Sequence, residues 1–260
     1  MNKIIAKEHF SENVVKLVVE APMIAYARRP GHFVIVRADA DGERIPLTIA
    51  DADPERGTIT LVVQRVGAST NKICALEPGQ ELADVVGPLG KATHIERVGT
   101  VVCCGGGVGT APLLPIAKAM KQAGNRVIAI LAARDEGLII LDEEMAAFCD
   151  EVIIVTDNGS RGIKGLVTDG LQAVIDREQV DLVVAIGPAV MMKFVAKLTK
   201  PLGIPTVCSL NTIMVDGTGM CGACRVTVDG RTRFVCVDGP EFDAHKVDFD
   251  EMISRLRAYN

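Results

Sequence analysis

Two hydrophobic rhythms divide this chain. Up to about Val98, short segments alternate apolar and polar residues: Gly31–Arg37 and Thr58–Gln64 clearly, Val14–Glu20 with more apolar positions. All are rich in β-branched residues and bounded by Gly, Pro or Asp, the pattern of half-buried strands separated by turns. Such strands at close spacing predict a small antiparallel β-barrel over residues 1–98. From Gly99 the rhythm changes. Thr100–Cys104 is a continuous apolar run, as in a strand buried on both faces, and Leu113, Ile116, Ala117 and Met120 follow at helical spacing. Arg126–Ala132, Glu151–Thr156 and Asp181–Ile186 read as further strands, with helices over Leu141–Cys149 and about Ala189–Thr199. That alternation predicts a doubly wound parallel sheet over residues 99–208, an α/β domain following an all-β one. A small subdomain is expected over 209–245. A helical tail is expected over 246–260, with Phe249, Met252, Ile253 and Leu256 packed on the protein's own body.

Composition narrows the function classes. A chain of 260 residues, 48% hydrophobic and 23% charged, is long enough for two globular cores. A net charge of −5 argues against nucleic acid as a partner. The N-terminal residues lack an apolar signal-peptide core, and no apolar run approaches a membrane span. The expected compartment is the cytoplasm, where thiols stay reduced and available to metal.

The eight cysteines change the picture most. Cys221, Cys224 and Cys236 lie close together in a glycine-rich stretch, Met214 to Cys224 and beyond. The plant-type [2Fe–2S] spacing is C-x4-C-x2-C…C, and Asp216 stands where its first cysteine would be. Three thiolates and one carboxylate suit an iron–sulfur cluster, with glycines allowing backbone N–H groups close to the sulfides. Structural zinc bound by the three cysteines and a further ligand such as His245 is the alternative, and buried thiols without metal a third. Cys74, Cys149 and Cys208 read as core, and Cys103 and Cys104 as small residues at a strand end. His9, His32, His94 and His245 show no mutual ligand spacing.

Three further segments point to phosphate-bearing ligands. Arg44-Ile45-Pro46-Leu47-Thr48 combines a guanidinium and a hydroxyl able to hold a phosphate and the edge of a planar ring. Gly67, Ser69 and Thr70 open a turn of helix, a plausible pyrophosphate cradle. Gly105-Gly106-Gly107-Val108-Gly109-Thr110-Ala111-Pro112 joins the Thr100–Cys104 strand to its helix, aiming N–H groups at one anionic ligand. Arg134, Asp157 and Gly187-Pro188 fall at the same C-terminal edge of the predicted sheet.

Barrel, nucleotide sheet and cysteine loop, in that order, resemble the ferredoxin–NADP reductase superfamily of flavoproteins over essentially the whole chain. Within it the chain is similar to the electron-transfer subunits of dihydroorotate dehydrogenases, and more so to the small subunits of NADH-dependent ferredoxin:NADP oxidoreductases. The latter branch has aspartate, and the former cysteine, at the position of Asp216. The resemblance implies FAD bound by Arg44, Pro46, Leu47, Thr48, Gly67, Ser69 and Thr70, with Pro46 replacing the commoner tyrosine. It implies a nicotinamide nucleotide on Gly105, Gly106, Gly107, Gly109, Thr110, Pro112, Gly187 and Pro188. Asp216, Cys221, Cys224 and Cys236 match the cluster ligands. It further implies a larger flavin and iron–sulfur subunit as partner, ferredoxin served indirectly, and electron bifurcation as a role of the assembly. Ala133-Arg134-Asp135-Glu136 offers both signs of charge to the adenosine ribose; the branch leans to NAD(H). The reading from another class is a non-catalytic nucleotide-binding module with structural zinc.

Overall fold

The computed structural model describes residues 2–257; Met1 and residues 258–260 of the expected tail lie outside the described residues. The chain forms two compact units. One comprises Met1–Thr93, Thr212–Arg225 and Phe234–Pro240, the other His94–Asn211, Val226–Arg233 and Glu241–Asn260.

The first unit contains β1 (Ile4–Ser11), β2 (Val14–Glu20), α1 (Pro22–Ala27), β3 (Phe33–Arg37), β4 (Ile45–Asp53), β5 (Thr58–Gln64), α2 (Ala68–Ala75) and β6 (Asp84–Leu89). Its six strands pair antiparallel in the order β1-β2-β5-β4-β3-β6. The two edges meet through residues 79–82: Ile4 N donates to Gln80 O and Gly79 N to Ile4 O, both at 2.8 Å. Register explains the core. Val15, Leu17 and Val19 pair with Val63, Leu61 and Ile59, and all six are fully buried. Each such side chain contributes roughly 1.5–3 kcal/mol on leaving water. The alternation read from sequence is thus the inside and outside of a closed sheet. Helix α1 has no counterpart in that reading, because six residues are too few for a 3.6-residue period to register. Its signal is Pro22 at the first helical position.

The second unit contains β7 (Thr100–Gly106), α3 (Thr110–Gln122), β8 (Arg126–Ala133), α4 (Asp142–Ala146), β9 (Glu151–Thr156), β10 (Ile163–Lys164), α5 (Val167–Ile175), β11 (Leu182–Ile186), α6 (Ala189–Thr199) and β12 (Thr206–Ser209). Toward the C-terminus come β13 (Arg225–Val228), β14 (Arg231–Phe234), β15 (Glu241–Asp243) and α8 (Phe249–Arg257), while α7 (Val235–Asp238) belongs to the first unit. The large sheet runs β10-β9-β8-β7-β11-β12-β15, parallel except that β15 is antiparallel to β12. Strand order reverses between β7 and β11, which makes that edge the switch point where ligands of such sheets bind.

Several boundaries move. Strand β7 runs on through Gly105 and Gly106, so the glycine turn is the short 3-10 segment Gly107–Gly109. The helix expected over Leu141–Cys149 is only Asp142–Ala146; at its start Leu141 takes a left-handed conformation (φ 60°) and stays outside it. Cys149 is half-buried and packs against the core of the second unit, whereas Cys74 and Cys208 are fully buried. Residues 209–245 do not gather into one body. Thr212–Arg225 and Phe234–Pro240 join the barrel unit, while β15 extends the parallel sheet. In the tail, Phe249 and Met252 are buried. Among the described residues no helix is long and apolar enough to cross a membrane.

Candidate functional site

The four expected cluster ligands all fall in the barrel unit and form two pairs. Asp216 Oδ1 lies 3.1 Å from the Cys221 thiol, and Cys224 Sγ lies 3.2 Å from Cys236 Sγ. Cys221 is exposed; Cys224 and Cys236 are buried. Asp216 Oδ2 also accepts from Thr218 Oγ1 and Met220 N, each at 2.9 Å. Partial burial opposes ionisation, but the Cys221, Thr218 and backbone donors win and hold this carboxyl well below the usual carboxylate range. Burial, together with the neighbouring Cys224 thiol, pushes Cys236 up to about 12. Gly217 seats the loop on the barrel. Its φ is +77°, and a Cβ there would come within 2.7 Å of Ile35 and 2.9 Å of Leu89.

Among the described residues no three His, Cys, Asp or Glu side chains converge on one ion centre. Two donor pairs instead match a two-metal cluster better than a mononuclear zinc site, which draws four donors tetrahedrally to one point. His245, the suggested fourth zinc ligand, sits in the other unit with Nε2 2.9 Å from Thr199 Oγ1. That ring nitrogen is engaged there.

The flavin-type segments come from two barrel elements. On β4, Pro46 and Thr48 pair with Ile35 and Phe33 of β3, and Leu47 with Val34. Ile45 and Leu47 pack against the barrel core. Period-two alternation therefore puts Pro46 and Thr48 on the opposite face, with Arg44 just before the strand. Leu47 has only its backbone to offer a ligand on that face. At the start of α2, Thr70 Oγ1 accepts from Val66 N and Gly67 N. Gly67 is informative: its φ of −169° suits any residue, and a Cβ there would meet nothing within 4 Å. Neither strain nor crowding within the chain calls for glycine, so the open space beside the helix start fits an approaching phosphate. The two segments are linked by Glu43, Lys72 and Asp39, which the sequence reading did not single out. Ser69 Oγ donates to Glu43 at 3.3 Å, and Lys72 Nζ to Asp39 at 2.8 Å. A charge pattern alone carries no sign of this pairing across 33 residues.

In the parallel sheet, register brings Gly106 beside Ala132, and Ile186 beside Gly105. Beyond the strand ends, Asp157 N donates to Ala133 O and Asn158 N to Arg134 O, so Arg134 and Asp157 share that edge. The glycines differ in meaning. A Cβ on Gly109 would lie 2.4 Å from Ile186 O, one on Gly106 2.4 Å from Met191 Sδ, and one on Gly105 2.9 Å from Thr110 Oγ1. These three are small because the turn packs on its own chain, with Gly109 against Gly187. Gly107, at φ +54°, faces open space and is where a ligand can approach the backbone. Thr110 begins α3 and Pro112 lies in its first turn. Met191, reaching back from α6 over Gly106 and Gly187, was not singled out by sequence. Cys103 and Cys104 are fully buried, and burial pushes Cys104 up to about 12 and Cys103 well above its ordinary value. Both are neutral core thiols.

Comparison with known proteins agrees with this division. Residues 2–94 match the oxidoreductase FAD-binding domain, and residues 211–248 the iron–sulfur cluster binding domain of dihydroorotate dehydrogenase B. A Thermotoga maritima protein described as a homolog of the dihydroorotate dehydrogenase B (NAD(+)) electron transfer subunit is 46% identical, covering 100% of this chain and 92% of its own. The Bacillus caldolyticus dihydroorotate dehydrogenase B (NAD(+)) electron transfer subunit is 32% identical, covering 91% and 93%. A solved structure of NADH-dependent reduced ferredoxin-NADP oxidoreductase, studied for flavin-based electron bifurcation, contains a chain 45% identical. It covers 100% of this chain and 94% of that one, with a TM-score of 0.97.

Proposed function

The chain belongs to the family of dihydroorotate dehydrogenase B electron transfer subunits and their homologues, and on that premise we propose that it is the electron-transfer subunit of an NADH-dependent ferredoxin:NADP oxidoreductase. In this reading residues 1–98 hold FAD, 99–208 the nicotinamide nucleotide and 209–245 a [2Fe–2S] cluster. The observation that carries it is the donor set: one aspartate and three cysteines in two pairs, seated on the barrel unit.

When bound, flavin exchanges hydride with a nicotinamide while the iron–sulfur cluster moves single electrons, so the chemistry resides in the cofactors. The chain binds, orients and excludes water. Pro46 and Thr48 line one face of β4 for the flavin, with Arg44 just before the strand, and Gly67, Ser69 and Thr70 receive its pyrophosphate. Gly107 and the start of α3 receive the nucleotide phosphates, with Gly105, Gly106, Gly109 and Gly187-Pro188 shaping the turn. Arg134 and Asp157 stand at the edge where a ribose is read. Asp216, Cys221, Cys224 and Cys236 would hold the iron–sulfur cluster. A larger subunit receives the electrons, ferredoxin is reached through it, and the cytoplasm keeps the thiols reduced.

The second reading is the electron-transfer subunit of a dihydroorotate dehydrogenase, favoured by the cluster-domain match and the 32% identical relative. The 45% identity and TM-score of 0.97 with the ferredoxin-NADP oxidoreductase chain, against 32% for the dihydroorotate dehydrogenase subunit, favour the first.

The test is the visible spectrum of the anaerobically purified complex, before and after NADH. Flavin bands with a broad iron–sulfur shoulder, both bleached by NADH and not by dihydroorotate, support the proposal. Bleaching by dihydroorotate selects the second reading. A colourless protein with stoichiometric zinc sinks both and leaves the binding module.

A further inference from the structure

The loop between β3 and β4 is strongly acidic, Asp39-Ala40-Asp41-Gly42-Glu43, and ends at Arg44, the first residue assigned to the flavin. It is an ordered turn: Asp41 N donates to Asp39 Oδ1 at 3.1 Å and Gly42 N to Asp39 O at 3.1 Å. Two contacts carry it to α2, the helix whose start is assigned to the pyrophosphate. Lys72 Nζ lies 2.8 Å from Asp39 Oδ2, and Ser69 Oγ lies 3.3 Å from Glu43 Oε2. Ser69 and Lys72 are three residues apart on α2, so they lie on neighbouring turns of one helix face. The loop therefore grips the helix at two points, one at each end of its own turn.

We infer that Asp39 and Lys72, with the Glu43–Ser69 hydrogen bond beside them, form a strap that fixes the distance between the two halves of the flavin site. The inference rests on the flavin reading above. Asp39 and Lys72 are positioning residues: neither belongs to the segments assigned to the flavin, yet Arg44 follows the loop that one anchors and Ser69 shares a helix face with the other. The two charges also reinforce each other. The Lys72 ammonium holds the Asp39 carboxyl below its ordinary value, and Asp39 raises Lys72. The pair is about half exposed on both sides, so its contribution to global stability is small and sensitive to salt. Its effect falls instead on how long the assembled site stays closed around its ligand.

The test is flavin release from the purified holoprotein, followed as the rise in flavin fluorescence after dilution, at low and high ionic strength. Asp39→Asn keeps the turn's acceptor but loses the charge, and Lys72→Met keeps the apolar stem. Each single variant is expected to release flavin about two- to five-fold faster than wild type at low salt. The double variant is expected to be no faster than the faster single, because one shared interaction is being removed. Wild-type release should accelerate with salt, and release from the variants should not. Thermal midpoints should stay within about one or two degrees, which separates positioning from a general loss of structure. Unchanged release in flavin-bearing single variants, or accelerations that multiply in the double variant, overturns the strap alone. A wild-type protein that holds no flavin overturns the flavin reading and the strap with it.

Discussion

At the scale of single residues, identity in a motif does not reveal the reason for it. Gly67 and Gly109 both belong to segments read as phosphate cradles, yet their surroundings differ. Gly109 abuts the Ile186 carbonyl, whereas Gly67 faces open space in an unstrained conformation. Gly109→Ala should therefore destabilise the parallel-sheet unit by about 1–3 kcal/mol or more, lowering its thermal midpoint. Gly67→Ala should leave the midpoint unchanged and weaken flavin retention, measured as the flavin to protein ratio after gel filtration. A full flavin complement in Gly67→Ala would show that no ligand approaches there. The proposed cluster ligands are asymmetric in the same residue-specific way, since Asp216 is a hard oxygen donor among thiolates. Asp216→Cys should move the cluster's midpoint potential in a spectroscopic redox titration. An unchanged potential would mean that Asp216 does not ligate iron.

At the scale of elements, two carboxylates brace strand starts in the parallel sheet. Asp181 Oδ2 accepts from Thr100 N at 2.7 Å, at the beginning of β7. Asp150 Oδ2 accepts from Val127 N at 2.8 Å in β8 and pairs with Lys121 at the end of α3. The Thr100 N–H, with Gln179, lowers the Asp181 pKa, and Lys121, with Val127 N–H, lowers that of Asp150. A carboxylate depressed on folding binds fewer protons in the native than in the unfolded state. Its contribution is therefore complete above the unfolded value of about 3.9 and is lost as pH falls toward the folded values. The thermal midpoint of this unit should be flat down to about pH 5 and fall below about pH 4, less steeply in an Asp181→Asn, Asp150→Asn variant. Equal acid slopes in variant and wild type would remove both groups as the cause.

At the scale of the whole molecule, the chain returns to its first unit after building most of the second. Thr212–Arg225 and Phe234–Pro240 belong with the barrel, and Gly90 packs against Pro240 as Gly217 does against Ile35. Iron held in that loop, as proposed, would therefore stabilise the barrel unit rather than the sheet unit. Calorimetry of the holoprotein before and after anaerobic iron chelation should show the flavin-releasing transition moving to lower temperature while the other stays in place. A shift confined to the other transition would contradict this assignment. On the proposed site assignment, flavin and cluster share one unit and therefore one frame.

Period and spacing are local properties, and what depends on them was legible in the sequence alone. Alternation over Thr58–Gln64, the apolar run at Thr100–Cys104, the boundaries of Glu151–Thr156 and Ala189–Thr199, and the cysteine spacing with Asp216 in first place all follow from neighbours along the chain. What required the tertiary structure depends on residues far apart. Only folding pairs Asp216 with Cys221 and Cys224 with Cys236, divides residues 209–245 between two units, and sends β15 to the open edge of β12. Only folding shows that Met191 fills the space above Gly106 and that Lys72 meets Asp39. A sequence records which groups a chain owns, while steric and electrostatic neighbours are set by how its strands and helices pack. For this protein the cofactor chemistry lies in the first, and the arrangement that serves it in the second.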